Sequence, residues 1–111
     1  MKKTTIIAVL AAALSLAACV STPLPPSSTR IAVVENQKKD IAIERNAGRI
    51  SYEEAARRQY AIERASYALR ASEVNFWQEA ISLARAVDEN RISRAEYQRR
   101  IQIAYARDVG A

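Results

Sequence analysis

Histidine is absent from this chain of 111 residues, and Cys19 is its one cysteine. These two absences exclude an intrachain disulfide, His/Cys metal sites and thiol–imidazole chemistry. The serines have no histidine base, and a Ser–Lys dyad would need Lys38 or Lys39, which stand in a charged run. Proline is confined to Pro23, Pro25 and Pro26, and Gly48 is the one glycine before the C-terminal tail. No apolar run reaches the roughly 20 residues of a membrane-spanning helix. Charge of either sign is not concentrated. Seventeen basic residues against 12 acidic ones give +5, too little for the dense basic face of a nucleic-acid binder.

Paired carboxylates are the remaining catalytic option, and they are poorly placed. Glu53 and Glu54 are adjacent, so on a helix they point about 100° apart and cannot flank one bond. Glu54 and Glu96 fit better as helix-capping residues. The expectation is a protein without catalytic residues, without a metal, and without a cofactor other than a covalent lipid.

That lipid is suggested by the N-terminal segment. Lys2 and Lys3 precede an apolar run, Ile6 to Leu16, of signal-peptide length. The run ends in Leu16-Ala17-Ala18-Cys19, which is similar to the lipobox of bacterial lipoproteins. The resemblance implies that Leu16, Ala17 and Ala18 are read by a signal peptidase, and that the Cys19 thiol carries a diacylglycerol. Small side chains before the cut let a protease approach the backbone, and two or three acyl chains make a lasting anchor. Val20, where the enterobacterial sorting rule places Asp to retain a protein at the inner membrane, implies the outer membrane, with the chain facing the periplasm.

The expected organisation is therefore a signal peptide over 1–18, a lipid anchor and proline-rich tether over 19–29, and a helical domain over 30–111. The tether favours extended polyproline-like geometry and cannot be helical. At about 3 Å per residue it would hold the domain on the order of 25–30 Å from the lipid. Loss of Lys2 and Lys3 with the signal peptide leaves 15 basic against 12 acidic residues, a side-chain charge of +3.

The helical domain repeats itself. Arg49-Ile50-Ser51 recurs as Arg91-Ile92-Ser93, and at the same offset of 42 Glu54 matches Glu96 and Arg57-Arg58 matches Arg99-Arg100. Ser51-x-x-Glu54 and Ser93-x-x-Glu96 are capping boxes that mark helix starts. Ile50 and Ile92 stand where a hydrophobic staple would place them. Gly48 and Asn90 suit the left-handed residue that closes a preceding helix. Helices are thus predicted over about 30–47, 52–88 and 94–108. The stretch from Gly48 to Glu54 also resembles the turn of the SHOCT domain, a short helical hairpin of bacterial proteins, and Glu96-Tyr97 adds an aromatic that family often carries. The resemblance covers only the turns and implies assembly rather than catalysis.

The central segment carries two apolar series on nearly opposite faces. Tyr60, Tyr67, Val74 and Ile81 form one; Ile62, Leu69, Phe76 and Leu83 form the other, with Trp77 beside it. The flanking helices, through Ile31, Val34, Ile41, Tyr97 and Ile101, can cover one side. The second side needs its own cover. The central helix could break near Ser72 to close a four-helix bundle, or stay continuous and meet a second copy or another protein. The lack of Gly or Pro near position 72 favours continuity.

The fold expected is all-α: two tandem helical hairpins sharing a long central helix, with three helices, or four if it breaks. The candidate interaction surface is Ile62, Leu69, Phe76, Trp77 and Leu83, serving a protein partner or a homodimer. Arg57, Arg58, Arg99 and Arg100 are candidates for an anionic envelope polymer such as lipopolysaccharide or peptidoglycan, although Glu53, Glu54 and Glu96 stand where they can pair with them.

Overall fold

A computed structural model describes residues 28–110. The expected signal peptide, Cys19 and residues 20–27 of the tether lie outside the described residues; Ser28 and Thr29, expected to end the tether, are helical instead, so the helical domain starts two residues before position 30. Among the described residues four helices follow one another: α1 (Ser28–Asn46), α2 (Tyr52–Ser66), α3 (Ala71–Asp88) and α4 (Arg94–Asp108). No strand occurs among the described residues. Each helix packs on its neighbour in the chain: α1 on α2, α2 on α3, α3 on α4.

The two repeated turns close with the same pair of backbone bonds. At the end of α1, Arg49 N–H donates to Glu44 C=O and Gly48 N–H to Arg45 C=O, both at 3.0 Å. At the end of α3, Arg91 N–H donates to Ala86 C=O at 2.8 Å and Asn90 N–H to Val87 C=O at 3.0 Å. These are two Schellman closures, with Gly48 at φ 77° and Asn90 at φ 59° in the left-handed position. Ser51 and Ser93 then cap α2 and α4 by accepting from Glu54 N–H and Glu96 N–H, each at 3.0 Å. The second half of the capping box is not used in either turn, because Glu54 and Glu96 bond arginines instead.

A different group completes the cap of α2. The Asp88 carboxylate, at the end of α3, accepts from Tyr52 N–H at 2.9 Å and from Glu53 N–H at 2.8 Å. An anion at a helix N-terminus satisfies otherwise unpaired amides and opposes the helix dipole. It also places both repeated turns at one end of the molecule.

The central segment is not continuous. The absence of Gly and Pro favours one helix over 52–88, but α2 ends at Ser66 and α3 begins at Ala71. Tyr67 and Arg70 are extended. The break lies just before the Ser72–Asn75 stretch, which is inside α3. Glu73 rather than Ser72 supports the new start, accepting from Arg70 N–H at 2.8 Å. At the other side of the break, the Arg30 guanidinium reaches Ser66 C=O at 3.4 Å. The bend turns the second apolar face inward, which a straight helix cannot do without a partner.

Two small cores result. Tyr52, Ala56, Ala84 and Tyr97 make one, with Ile81, Leu83, Val87, Ile92 and Ile101 packed against it. Phe76, Trp77, Ala80 and Ala104 make the other, joined by Tyr60, Leu69, Ile101 and Val109. Ala84 and Ala104 are fully buried. Alanines at these crossings let the backbones come close, and the aromatics fill the space around them.

Candidate functional site

The sequential packing leaves α1 and α4 apart: their Cα atoms do not come within 8 Å of each other. Between them runs an open groove whose floor is Phe76, Trp77 and Ala80 of α3. Trp77 meets Phe76 edge-on at 5.2 Å and lies over Tyr60 at 6.1 Å, which fixes both floor rings. Tyr105 of α4 forms one lip, half exposed, its ring edge-on to Phe76 at 5.6 Å. Ile31 of α1 forms the facing lip and is equally exposed.

The lower half, beside the start of α1 and the α2–α3 bend, is a hollow of about 370 Å³. It carries Glu35, Glu63 and Glu73 among its lining. Lys38 sits at the middle of the groove, bonded to Glu35 at 2.8 Å and Glu63 at 3.0 Å, with its ammonium 5.8 Å from the Trp77 ring. Burial works to lower the Lys38 pKa, but the bonds to the two carboxylates outweigh it and hold the group above its ordinary value.

The upper half, beside the repeated turns, is a hollow of about 310 Å³ and has no carboxylate in its lining. Arg45, in the last turn of α1, enters it, and Gln59 and Gln98 supply amides. The Arg45 guanidinium lies 4.7 Å from the Tyr52 ring, and Arg94 lies 5.7 Å from the same ring. Tyr52 in turn meets Tyr97 edge-on at 5.3 Å. Burial pushes the Tyr97 hydroxyl above its ordinary pKa, so it stays protonated.

The five residues singled out as an interaction surface do not share an open face. Phe76 and Trp77 are core residues whose edges reach the groove floor. Leu69 packs partly buried on the same core, Leu83 on the other, and Ile62 is half-buried. Tyr105, Arg45, Arg94 and Asp88 were not among the candidate residues. Tyr105 follows Ile101 by one helical turn, which is the signal that could have found it. Arg45 and Arg94 meet at Tyr52 only through the packing.

The four candidate arginines are exposed and already paired. Arg57 bonds Glu53 at 2.8 Å, Arg58 bonds Glu54 at 2.7 Å, and Arg99 and Arg100 share Glu96 at 2.5 and 2.6 Å. Glu53 is drawn down to a pKa of about 2 by hydrogen bonds from Arg85 and Arg57. Glu96 is drawn down to about 2 by Arg99 and Arg100. Glu73 and Asp108 are lowered as well, by Arg70 and by Arg107.

These shifts give a pH dependence with a definite sign. A carboxyl with a folded-state pKa below its unfolded value stabilises the fold above the unfolded pKa, and loses that contribution as pH falls toward the folded one. The melting temperature of residues 20–111 is expected to be level from pH 7 to 5 and to drop between about pH 4.5 and 2. Thermal melts followed by circular dichroism check this, and a flat profile down to pH 2.5 would refute it. The exposed pairs are screened, so added salt should blunt the drop.

Among the described residues, no group of His, Cys, Asp or Glu is arranged to hold a metal ion, and no helix is long and apolar enough to cross a membrane. Compared with known proteins, the chain matches no family model, no curated protein and no solved structure.

Proposed function

We propose that this is a lipid-anchored protein of the bacterial cell envelope that docks a protein partner in the groove between α1 and α4. The observation that carries the reading is the groove itself, an aromatic floor left open between two helices that do not meet. An amphipathic helix laid into an apolar groove is a common mode of recognition, and Trp and Tyr are the residue types most often found at binding hot spots. The lipobox-like Leu16-Ala17-Ala18-Cys19 supports the anchor, with Cys19 as the acylated residue.

The two parts fit together. The tether joins α1 at the end that holds the α2–α3 bend, since Arg30 touches Ser66. The groove would then rise from the membrane side along α1, with Arg45 about 20 Å above Arg30 at 1.5 Å per residue.

A photocrosslinking amino acid placed at Tyr105, on the groove lip, or at Ile103, on the opposite face of α4, tests the docking. Both positions are about half exposed. The full-length protein in its own host should give a discrete crosslinked species from position 105 and none from 103. A product of twice the chain mass identifies a second copy as the occupant. Equal labelling from both positions, or none from 105, would overturn the reading.

A further inference from the structure

The groove is polarised, and the polarity points to a ligand. Every carboxylate in its lining belongs to the lower half, whereas the upper half is lined by Arg45, Gln59, Gln98, the Tyr97 and Tyr105 rings and hydrocarbon. Arg45 there meets only neutral partners, its Nε donating to Asn46 Oδ1 at 3.2 Å and its guanidinium bonding Tyr97, and the Gln59 amide donates to Lys38 C=O at 3.0 Å. Lys38, between the halves, is already held by Glu35 and Glu63. Arg45 and Arg94 differ from the other arginines near them: among the described residues neither has a carboxylate at ion-pair distance, and both guanidiniums rest against the Tyr52 ring. Arg57, Arg58, Arg85, Arg91, Arg99 and Arg100 are all paired with glutamates.

We infer that the upper half of the groove is a binding site for a small amphiphilic anion, a carboxylate carried on a hydrocarbon chain of fatty-acid type. Its head group lies against Arg45, with Arg94 adding positive potential. Its chain lies along Phe76, Trp77 and Ile101 toward Tyr105. Guanidinium and carboxylate match in geometry, and the two positive groups beside one apolar floor suit an anionic head on a hydrocarbon chain. The carboxylates of the lower half fix the direction, because they repel an anion head placed there. The inference rests on the same open groove as the docking reading, and such a ligand would compete with a docked helix at Tyr105.

Trp77 is the sole tryptophan and stands in the floor of the site, so its emission reports occupancy directly. Purified residues 20–111 would be titrated with sodium octanoate and, separately, with 1-octanol at constant ionic strength. Octanoate should produce a saturable change in Trp77 emission, with 1-octanol binding at least about five-fold more weakly. Arg45→Gln should weaken octanoate about ten-fold, the size of one charge-assisted contact.

Because Arg45 also packs on Tyr52, a second variant separates binding from folding. Gln98→Glu, at an exposed position, puts a carboxylate into the lining and should weaken octanoate while sparing 1-octanol. Arg57→Gln should change neither. The inference fails if octanoate gives no saturable change, if 1-octanol binds as well as octanoate, or if both Arg45→Gln and Gln98→Glu bind like the parent. Failure on any of these counts, with the Tyr105 crosslink intact, leaves protein docking standing without the anion.

Discussion

Trp77→Ala is expected to abolish cooperative folding of the helical domain or to lower its melting temperature by at least about 15 °C. The indole touches Phe76, Tyr60 and Ala80, and only 9% of the residue is exposed. Deleting a buried tryptophan costs about 3–5 kcal/mol, because the transfer energy is lost and the cavity is only partly refilled. A domain of this size has roughly 4–12 kcal/mol in all, at about 0.05–0.15 kcal/mol per residue. Four short helices with two small cores hold nothing in reserve. Ile103→Ala, on the exposed face of α4, should stay within about 0.5 kcal/mol of the parent. Urea denaturation of both variants gives the comparison, and a Trp77→Ala protein as stable as Ile103→Ala would mean that the second core does not hold the fold together.

Removing the Asp88 carboxylate is the second large effect. Asp88→Ala should cost about 2 kcal/mol, since it leaves the Tyr52 and Glu53 amides at the start of α2 without their acceptor. Asp88→Asn keeps an acceptor but not the charge and should cost roughly half as much. Ser51→Ala, which removes only the bond to Glu54 N–H, should cost about 1 kcal/mol. Amide hydrogen exchange supplies a readout specific to this cap. In Asp88→Ala, protection should fall at Tyr52 and Glu53 while Glu54 keeps its Ser51 bond. Loss spread evenly over α2 would indicate general destabilisation and no dedicated cap. Asp88 also ties the end of α3 to the start of α2, so its loss should loosen the end of the molecule that carries Arg45 and Arg94.

The parts of the fold that were legible are those whose causes are local. Gly48, Asn90, Ser51 and Ser93 act within one turn of chain, so their spacing alone marks two helix ends and two helix starts. The self-pairing of Arg57, Arg58 and Arg100 was equally readable, because i,i+4 partners are fixed by the helix period. The break was legible only as one of two options, a bend near Ser72, and its place at 67–70, just before that residue, was not. No residue there is a helix breaker; the segment Tyr67-Ala-Leu-Arg70 would continue a helix in isolation. The groove was missed for a related reason. Phe76 and Trp77 stand out in the sequence by type and spacing, but their neighbours across the groove, Ile31 and Tyr105, are separated by more than 70 residues and have no sequence pattern in common.

By itself, then, the sequence determined the helical class, the two closing turns at an offset of 42, the caps on Ser51 and Ser93, and an excess of apolar surface on the central segment. Only the tertiary structure decided how that excess is satisfied. Breaking the helix forgoes a few backbone hydrogen bonds, each with a net value of about 1 kcal/mol. Folding the second face inward brings Phe76, Trp77 and Leu69 out of water, and burial of large side chains like these is worth about 1.5–3 kcal/mol each. That balance depends on where α1 and α4 lie, which no local window contains. The same non-local packing sets Asp88 on the amides of α2, turns Arg45 and Arg94 to one tyrosine, and leaves the space between α1 and α4 unfilled.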